Sequence, residues 1–143
     1  MGRIYIIYWS HSGNTQAMAE AIGKGITNAG KEKAIMSVEN AELEDIMNAN
    51  CFALGCPAMG AETLEETLVE PFVSRIEGFV SGKTIALFGS YDWGNGQWMR
   101  DWEDRMTRSG ATILNGEGLI CQGQPDKDII LKCEEIGKQL VTA

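Results

Sequence analysis

The sequence has little histidine, little proline and no long apolar run. Its 143 residues include one histidine and three prolines. Four cysteines are present without a CxxC pair or a His-rich segment, which argues against a zinc centre. No segment reaches the roughly 18 consecutive apolar residues of a membrane-spanning helix. The first residues lack the layout of a signal peptide, so we expect a cytoplasmic protein with reduced cysteines and no metal.

Positive charge is also scarce. The chain has 12 Lys and Arg residues against 20 Asp and Glu, for a net charge of −8 at pH 7. This excess of acid argues against binding to nucleic acid or to anionic membranes and favours partners with basic surfaces. The sequence contains no GxxxxGK[ST] motif, which argues against a P-loop NTPase.

What is present is a regular alternation of strand and helix patterns. The composition, 44% hydrophobic and 22% charged, fits one globular domain over residues 1–143. Predicted strands cover residues 4–9, 33–38, 51–55, 84–89 and 111–120, the last interrupted by Gly116 and Gly118. Predicted helices cover residues 16–29, 40–48, 97–109 and 126–141. This alternation predicts a three-layer α/β fold with a doubly wound, five-stranded parallel sheet.

One further helical segment is expected between Thr63 and Gly78. Thr63 and Glu66 have the spacing of a capping box. Pro71 cannot lie inside an unbroken helix, so we expect either a turn followed by a new helix or a kinked helix.

A small polar loop, W-S-H-S-G-N-T at residues 9–15, joins the first strand to the first helix. The free backbone N–H groups of the first helical turn and the positive end of the helix dipole face such a loop. The loop holds no Lys or Arg. The pattern therefore predicts an anion site in which N–H and O–H dipoles alone neutralise the charge.

Two more loops, at residues 57–63 and 90–96, follow the third and fourth strands. The carboxyl ends of parallel strands meet at one edge of the sheet, so all three loops are expected there. The second loop contributes Met59, and the third contributes Tyr91 and Trp93. Together the loops suit a phosphorylated, flat, apolar ligand held between large side chains.

The segments S-H-S-G-N-T, G-C-P-A-M-G-A-E and G-S-Y-D-W-G closely resemble the three FMN loops of the short-chain flavodoxins. The resemblance covers the whole chain and implies the strand order 2-1-3-4-5. Flavodoxin is itself a standard example of ligand binding at the switch point between strands one and three, so that placement comes with the resemblance. The implied cofactor-binding residues are Ser10, His11, Ser12, Gly13, Asn14, Thr15, Pro57, Ala58, Met59, Gly60, Ala61, Glu62, Ser90, Tyr91, Asp92, Trp93 and Gly94.

The resemblance also implies a role for each loop. The first loop would bind the FMN phosphate through its side chains and the N–H groups of His11 and Gly13, with Ser90 near the phosphate or ribityl chain. Met59 would lie against the inner face of the isoalloxazine, and Trp93 would cover a face or an edge. Glu62 would accept a hydrogen bond from the flavin N3–H.

The implied function is a low-potential, one-electron carrier and not an enzyme. Non-covalently bound FMN would shuttle between semiquinone and hydroquinone, with the Gly60–Ala61 peptide turning its carbonyl toward flavin N5. Glycine tolerates the positive φ that such a rotation needs. The negative charge of the protein would lower the potential of the second electron. The implied partners are reductases and electron acceptors with basic docking surfaces, and the protein is expected to be a monomer.

Several side chains keep two interpretations. His11 either assists the phosphate or faces solvent, and Asp92 either strains its backbone and lowers the potential or is a solvated charge. Tyr91 faces the ligand or packs under its loop, and Cys56 packs or modulates redox chemistry. Cys121 and Gln122 are expected to pack, with contact to the flavin edge as the alternative.

The acidic cluster Glu62, Glu65, Glu66 and Glu70 is either a solvated helix face or a docking patch.

Two other functions compete with the carrier. A two-electron FMN-dependent reductase of quinones or small molecules would need a pyridine-nucleotide site, and no second nucleotide loop is evident. A phospho-acceptor signalling domain would need carboxylates at the ends of the first and third strands, where this chain has Ser10 and Cys56.

Overall fold

The computed structural model describes residues 2–143 as an α/β domain with a central parallel sheet. Its strands are β1 (Ile4–Tyr8), β2 (Lys33–Ser37), β3 (Cys51–Gly55), β4 (Thr84–Tyr91), β5 (Thr112–Ile113) and β6 (Leu119–Gln122). The order is β2-β1-β3-β4-β5, and β6 also pairs in parallel with β4. The predicted order 2-1-3-4-5 is therefore confirmed.

The fifth position of the sheet is filled by β5 and β6 in succession. A 3₁₀ turn, Leu114–Gly116, separates them, and Asn115 and Gly116 adopt φ values of 64° and 79°. Left-handed backbone cannot continue a strand, so the interruption that the glycines predicted is confirmed.

Five α-helices cover the two faces of the sheet: α1 (Asn14–Asn28), α2 (Leu43–Met47), α3 (Val69–Ile76), α4 (Gln97–Arg108) and α5 (Lys127–Val141). Side chains alternate across a strand, so neighbours on β1 serve opposite cores. Ile6 belongs to the core under α1 and α5, and Ile7 belongs to the core under α3 and α4. This arrangement gives the predicted three layers.

The helix α3 starts later than the capping-box spacing predicts. Its first residue is Val69, so Pro71 lies in the first turn, where no intrahelical N–H donor is lost. The alternative of a turn followed by a new helix is correct. The predicted capping box is wrong, because the Glu65 carboxylate accepts the hydrogen bonds of the Leu68 and Val69 N–H groups at the start of the helix.

Two other boundaries differ from prediction. The strand β4 continues through Ser90 and Tyr91, which the sequence assigned to a loop. The helix α2 is shorter than the predicted 40–48, and its last residue, Met47, is 53% exposed.

No helix within residues 2–143 is both long enough and apolar enough to cross a membrane. The same residues contain no group of three or more potential metal ligands. All four cysteines are free thiols and are buried.

Candidate functional site

The first polar loop turns tightly into α1. The hydroxyl of Ser10 accepts hydrogen bonds from the N–H groups of Gly13 (3.2 Å) and Gln16 (3.3 Å). Gly13 precedes the helix with φ 97°, a conformation that other residues rarely adopt. The N–H groups of Asn14 and Thr15 donate to no acceptor in residues 2–143, so they remain available to an anion.

A buried hydroxyl pair connects this loop to the end of β4. Thr15 and Ser90 are 1% and 4% exposed, and their Oγ1 and Oγ atoms lie 3.0 Å apart. The Ser90 N–H also donates to Thr15 Oγ1 at 3.3 Å, and the Ser90 carbonyl accepts from the Ala58 N–H at 3.0 Å. Ser90 therefore joins the three sequence-predicted segments at one edge of the sheet.

The second segment forms a short hairpin. Met59 and Thr63 exchange two backbone hydrogen bonds, of 2.9 Å and 3.1 Å. Gly60 and Glu62 have positive φ values of 27° and 57° at the tip. Met59 is half-buried, whereas Gly60 and Ala61 are exposed, so their peptide lies at the surface.

Glu62 joins the hairpin to α4. Its carboxylate accepts a hydrogen bond from the Gln97 N–H at 3.0 Å and lies 3.5 Å from the Asn95 nitrogen. Gly94, in the third segment, has φ 95°, and a Cβ there would lie 2.7 Å from Glu62 Cδ. The second and third segments are thus in direct contact.

The aromatic residues of the third segment have different surroundings. Trp93 is 64% exposed, so most of its indole surface is free. Tyr91 packs on Trp98 with ring centroids 5.6 Å apart, and Trp98 Nε1 donates to the Cys56 carbonyl at 3.0 Å. Tyr91 therefore follows the packing interpretation, and Trp98 is a buried core residue.

His11, Ser12 and Asp92 are all exposed. The His11 ring lies nearly parallel to that of Trp9, with centroids 6.2 Å apart. Asp92 is not among the residues with positive φ, so the predicted backbone strain at this position is wrong. Its carbonyl accepts from Gln122 Nε2 at 3.2 Å, which ties the loop to β6.

Cys56 lies beneath the hairpin and is fully buried. Its sulfur accepts from the Glu65 N–H and donates to the Pro57 carbonyl, each at 3.4 Å. Burial raises the pKa of the thiol to about 12, so it stays protonated. This environment favours the packing interpretation. Pro57 is buried and Ala58 half-buried beside it.

The acidic cluster is largely occupied inside the protein. Glu65 is 6% exposed, and its carboxylate accepts from the N–H groups of Thr67, Leu68 and Val69 and from the Thr67 hydroxyl.

A second carboxylate of the cluster, Glu70, forms a bidentate pair with Arg105 (2.8 and 2.6 Å). The hydrogen bond from Arg105 is the main reason that the pKa of Glu70 is lowered. Glu62 is bound to α4. Of the four carboxylates in the cluster, Glu66 is therefore the one that is exposed and has no partner in residues 2–143. Three of the four carboxylates thus have partners inside the protein, and the docking-patch interpretation of this cluster stays a prediction.

The donor set fits a phosphorylated flavin. First-turn N–H groups and hydroxyls without a Lys or Arg suit a phosphate, while Met59 and the exposed Trp93 offer apolar surfaces for a flat ring. Sequence reasoning missed the Gln97 amide. The signal for it was the pair Gly94 and Gly96 just before a helix.

Comparison with known proteins identifies the family of this chain. The family model for flavodoxin matches residues 6–137. A flavodoxin of Clostridium beijerinckii is 45% identical over 135 residues, 94% of this chain and 96% of its own. A flavodoxin of Megasphaera elsdenii is 38% identical and covers 98% of this chain and 99% of its own. The solution structure of two-electron reduced M. elsdenii flavodoxin superposes with a TM-score of 0.88 over the same shares of the two chains. The chain therefore belongs to the flavodoxin family of flavin-dependent electron-transfer proteins.

Proposed function

We propose that this flavodoxin binds FMN non-covalently at the edge formed by the three segments and carries single electrons at low potential. The observation that carries the proposal is the cation-free donor set of the first segment. The N–H groups of Asn14 and Thr15 sit beside the buried Thr15–Ser90 hydroxyl pair. Such a set of N–H and O–H donors suits a phosphate monoester. The bound flavin would supply the electron storage, accepting and releasing one electron at a time.

The first segment would hold the phosphate. The side chains proposed for this role are Ser10, Ser12, Asn14 and Thr15, assisted by the N–H group of His11 and, once it leaves the Ser10 hydroxyl, by that of Gly13. Gly13 supports the role because its positive φ directs the chain into the helix. Ser90 would support the phosphate or ribityl chain through its contact with Thr15.

The hairpin and the third segment would hold the ring. We assign Met59 to one face and Trp93 to the other face or an edge. Thioether–aromatic and aromatic stacking contacts stabilise such complexes by about 0.3–1.5 kcal/mol each. The remaining residues of the proposed site, Pro57, Ala58, Ala61, Tyr91, Asp92 and Gly94, would shape the walls.

The protein would control the potential through charge and backbone. Glu62 would accept from the ring N3–H, and its negative charge adds to a net charge of −8 that disfavours a second electron. The exposed Gly60–Ala61 peptide would reorient to present its carbonyl to a proton on flavin N5, since glycine tolerates both signs of φ.

The proposed partners are reductases and electron acceptors with basic docking surfaces. The support is the net charge of −8 and the exposed Glu66 next to the hairpin. The cytoplasmic location and the monomeric state stay predictions of the sequence.

The test begins with the purified protein. We expect a yellow protein whose extracted pigment is FMN and not FAD, and a redox titration with two separate one-electron steps. A protein that stays colourless with added FMN would contradict the site. A single two-electron step, or bleaching by NAD(P)H without a reductase, would instead support a reductase.

A matched pair of variants locates the phosphate. Thr15→Val removes the buried hydroxyl and should weaken FMN binding about tenfold, since it removes a charge-assisted hydrogen bond. Thr107→Val, at an exposed position of α4, should leave the dissociation constant unchanged. Equal affinities for the two variants would contradict the assignment of the first segment.

A further inference from the structure

We propose that the amino end of α4 positions the Glu62 carboxylate, and that Gly94 is the residue that makes room for it. The Gln97 amide would hold Oε1, which leaves Oε2 to accept from a ligand. The inference rests on the proposed FMN site, gives Gly94 a specific positioning role in it and adds Gln97 as a second positioning residue. Both positioning residues lie outside the hairpin that carries Glu62.

The two carboxylate oxygens have unequal partners. Oε1 accepts from the Gln97 N–H at 3.0 Å, a normal length for such a bond. Oε2 lies 3.5 Å from the Asn95 nitrogen, at the outer limit of a hydrogen bond. Oε2 therefore keeps most of its capacity to accept from another donor.

Two features of Gly94 make this arrangement possible. Its φ of 95° is a conformation that other residues rarely adopt. A Cβ at this position would also meet Glu62 Cδ at 2.7 Å, Oε2 at 2.9 Å and Oε1 at 3.0 Å. Any side chain there would push the carboxylate away from α4.

The backbone conformation of Glu62 also indicates that α4 restrains this residue. Its φ of 57° is unusual for a residue that is not glycine, and such a conformation persists only when the surroundings hold it. The bond from Oε1 to the Gln97 amide supplies that restraint. Gln97 is the first residue of α4, so the carboxylate also lies at the positive end of the helix dipole.

The restraint on Glu62 has a consequence for electron transfer. A carboxylate held by the Gln97 amide would keep its orientation while the neighbouring Gly60–Ala61 peptide reorients. Its charge is partly compensated by the helix terminus, so it opposes an added electron less than a free carboxylate would. The hairpin and the third segment would then respond to the flavin as one unit.

A double-mutant cycle tests the steric part. We expect Gly94→Ala to raise the FMN dissociation constant about tenfold, because it disrupts a hydrogen bond to a charged group. The control is Gly116→Ala, which has φ 79° but no atom within 4 Å of the added Cβ. This variant has a similar backbone strain, but away from the hairpin. We expect its FMN dissociation constant to change by less than about twofold.

To complete the cycle, Gly94→Ala and Gly116→Ala are measured again in a Glu62→Ala background. With the carboxylate gone, the effect of Gly94→Ala should shrink to that of Gly116→Ala. The potential of the second one-electron step should show the same coupling. Equal effects of Gly94→Ala in the two backgrounds would overturn the proposal.

Amide exchange tests the hydrogen bond without flavin. In the flavin-stripped full chain, the Gln97 amide should exchange at least about tenfold more slowly than that of Asn14, which also lies in a first helical turn but has no acceptor in residues 2–143. Glu62→Ala should abolish the difference. A Gln97 amide as fast as Asn14 would contradict the contact whatever the cofactor is, whereas failure of wild type to bind FMN would contradict only the proposed function.

Discussion

At the scale of single residues, burial decides what the cysteines can do. Cys56 and Cys133 are fully buried on opposite sides of the sheet, and burial raises the pKa of each thiol to about 12. Burial also raises the pKa values of Cys51 and Cys121. Because the thiolate is the reactive form, none of these side chains is prepared for nucleophilic or redox chemistry.

This environment predicts slow alkylation of the folded protein. At pH 8 a thiol of pKa about 12 is ionised to only about 1 part in 10,000. Iodoacetamide should therefore leave Cys56 and Cys133 almost unmodified in the folded state, and the buried Cys51 and Cys121 should react slowly, whereas all four should react after unfolding in urea. Mass spectrometry counts the adducts. Rapid labelling of Cys56 in the folded protein would show that its thiol is accessible.

At the scale of elements, α1 and α5 approach each other through glycines. A Cβ on Gly137 would lie 2.0 Å from the Ile22 carbonyl oxygen, and a Cβ on Gly25 would lie 2.0 Å from the Glu134 carbonyl oxygen. Both obstacles are backbone atoms, which cannot move without displacing a helix. The absence of side chains at these positions sets the distance between the two helices.

We therefore expect Gly137→Ala to destabilise the protein. Overpacking costs about 1–3 kcal/mol, which exceeds the roughly 1 kcal/mol that alanine gains over glycine in a helix. The control is Gly23→Ala on α1, whose Cβ would meet only the flexible ends of Ile35 and Lys33. Urea unfolding of both variants gives the comparison. A Gly137→Ala variant as stable as Gly23→Ala would contradict this packing.

The start of α3 depends on the carboxylate of Glu65. Burial alone would raise the pKa of this group, but the hydrogen bonds from the Thr67 side chain and from the Val69, Thr67 and Leu68 amides outweigh it. The pKa therefore lies below the ordinary 4.5. A carboxyl whose pKa is lowered by folding stabilises the native state above its unfolded pKa, and this contribution is lost as the pH falls through the folded value.

Glu65→Gln should reveal this pH dependence. At pH 7 the variant should be less stable by about 1 kcal/mol, the usual cost of losing a helix cap. Between pH 5 and pH 3 wild type should lose more stability than the variant, so the two should converge. Urea unfolding at several pH values measures this, with Glu66→Gln at the exposed neighbouring position as control. Parallel curves for wild type and Glu65→Gln would contradict the capping role.

At the scale of the whole molecule, negative charge dominates the surface. The chain carries a net charge of −8, but much of the acid near α3 is paired. Arg105 binds Glu70 and also Glu77, the latter at 2.8 Å. The long-range field remains negative, while the local pattern beside the hairpin depends on few free carboxylates.

The negative electrostatic field of the protein predicts that the rate of electron transfer depends on salt. Rates with a basic reductase should fall as ionic strength rises toward about 0.5 M, because salt screens the attraction between the two proteins. At low salt Glu66→Gln should slow the reaction by about twofold, the effect of one partly screened charge. Glu135→Gln on α5 is the control and should have less effect. Stopped-flow absorbance gives the rates, and rates independent of salt would count against a basic partner.

The sequence by itself determined the order of elements and the positions of the three segments. Strand and helix periodicity are local properties, so the third strand was predicted with correct ends and α1 began within two residues of the prediction. The loop glycines and hydroxyls are also visible in the sequence, since turn chemistry depends on neighbouring residues. That is why the fold and the family resemblance could be predicted without coordinates.

Only the tertiary structure decided which partners the charged and polar side chains have. Glu62 meets Gln97 across 35 positions, Glu70 meets Arg105 across 35, and Thr15 meets Ser90 across 75. No local pattern distinguishes a carboxylate that will cap a distant helix from one that will stay in water. The energy of a charge depends on the partners that folding brings within hydrogen-bond distance, and those partners come from other elements.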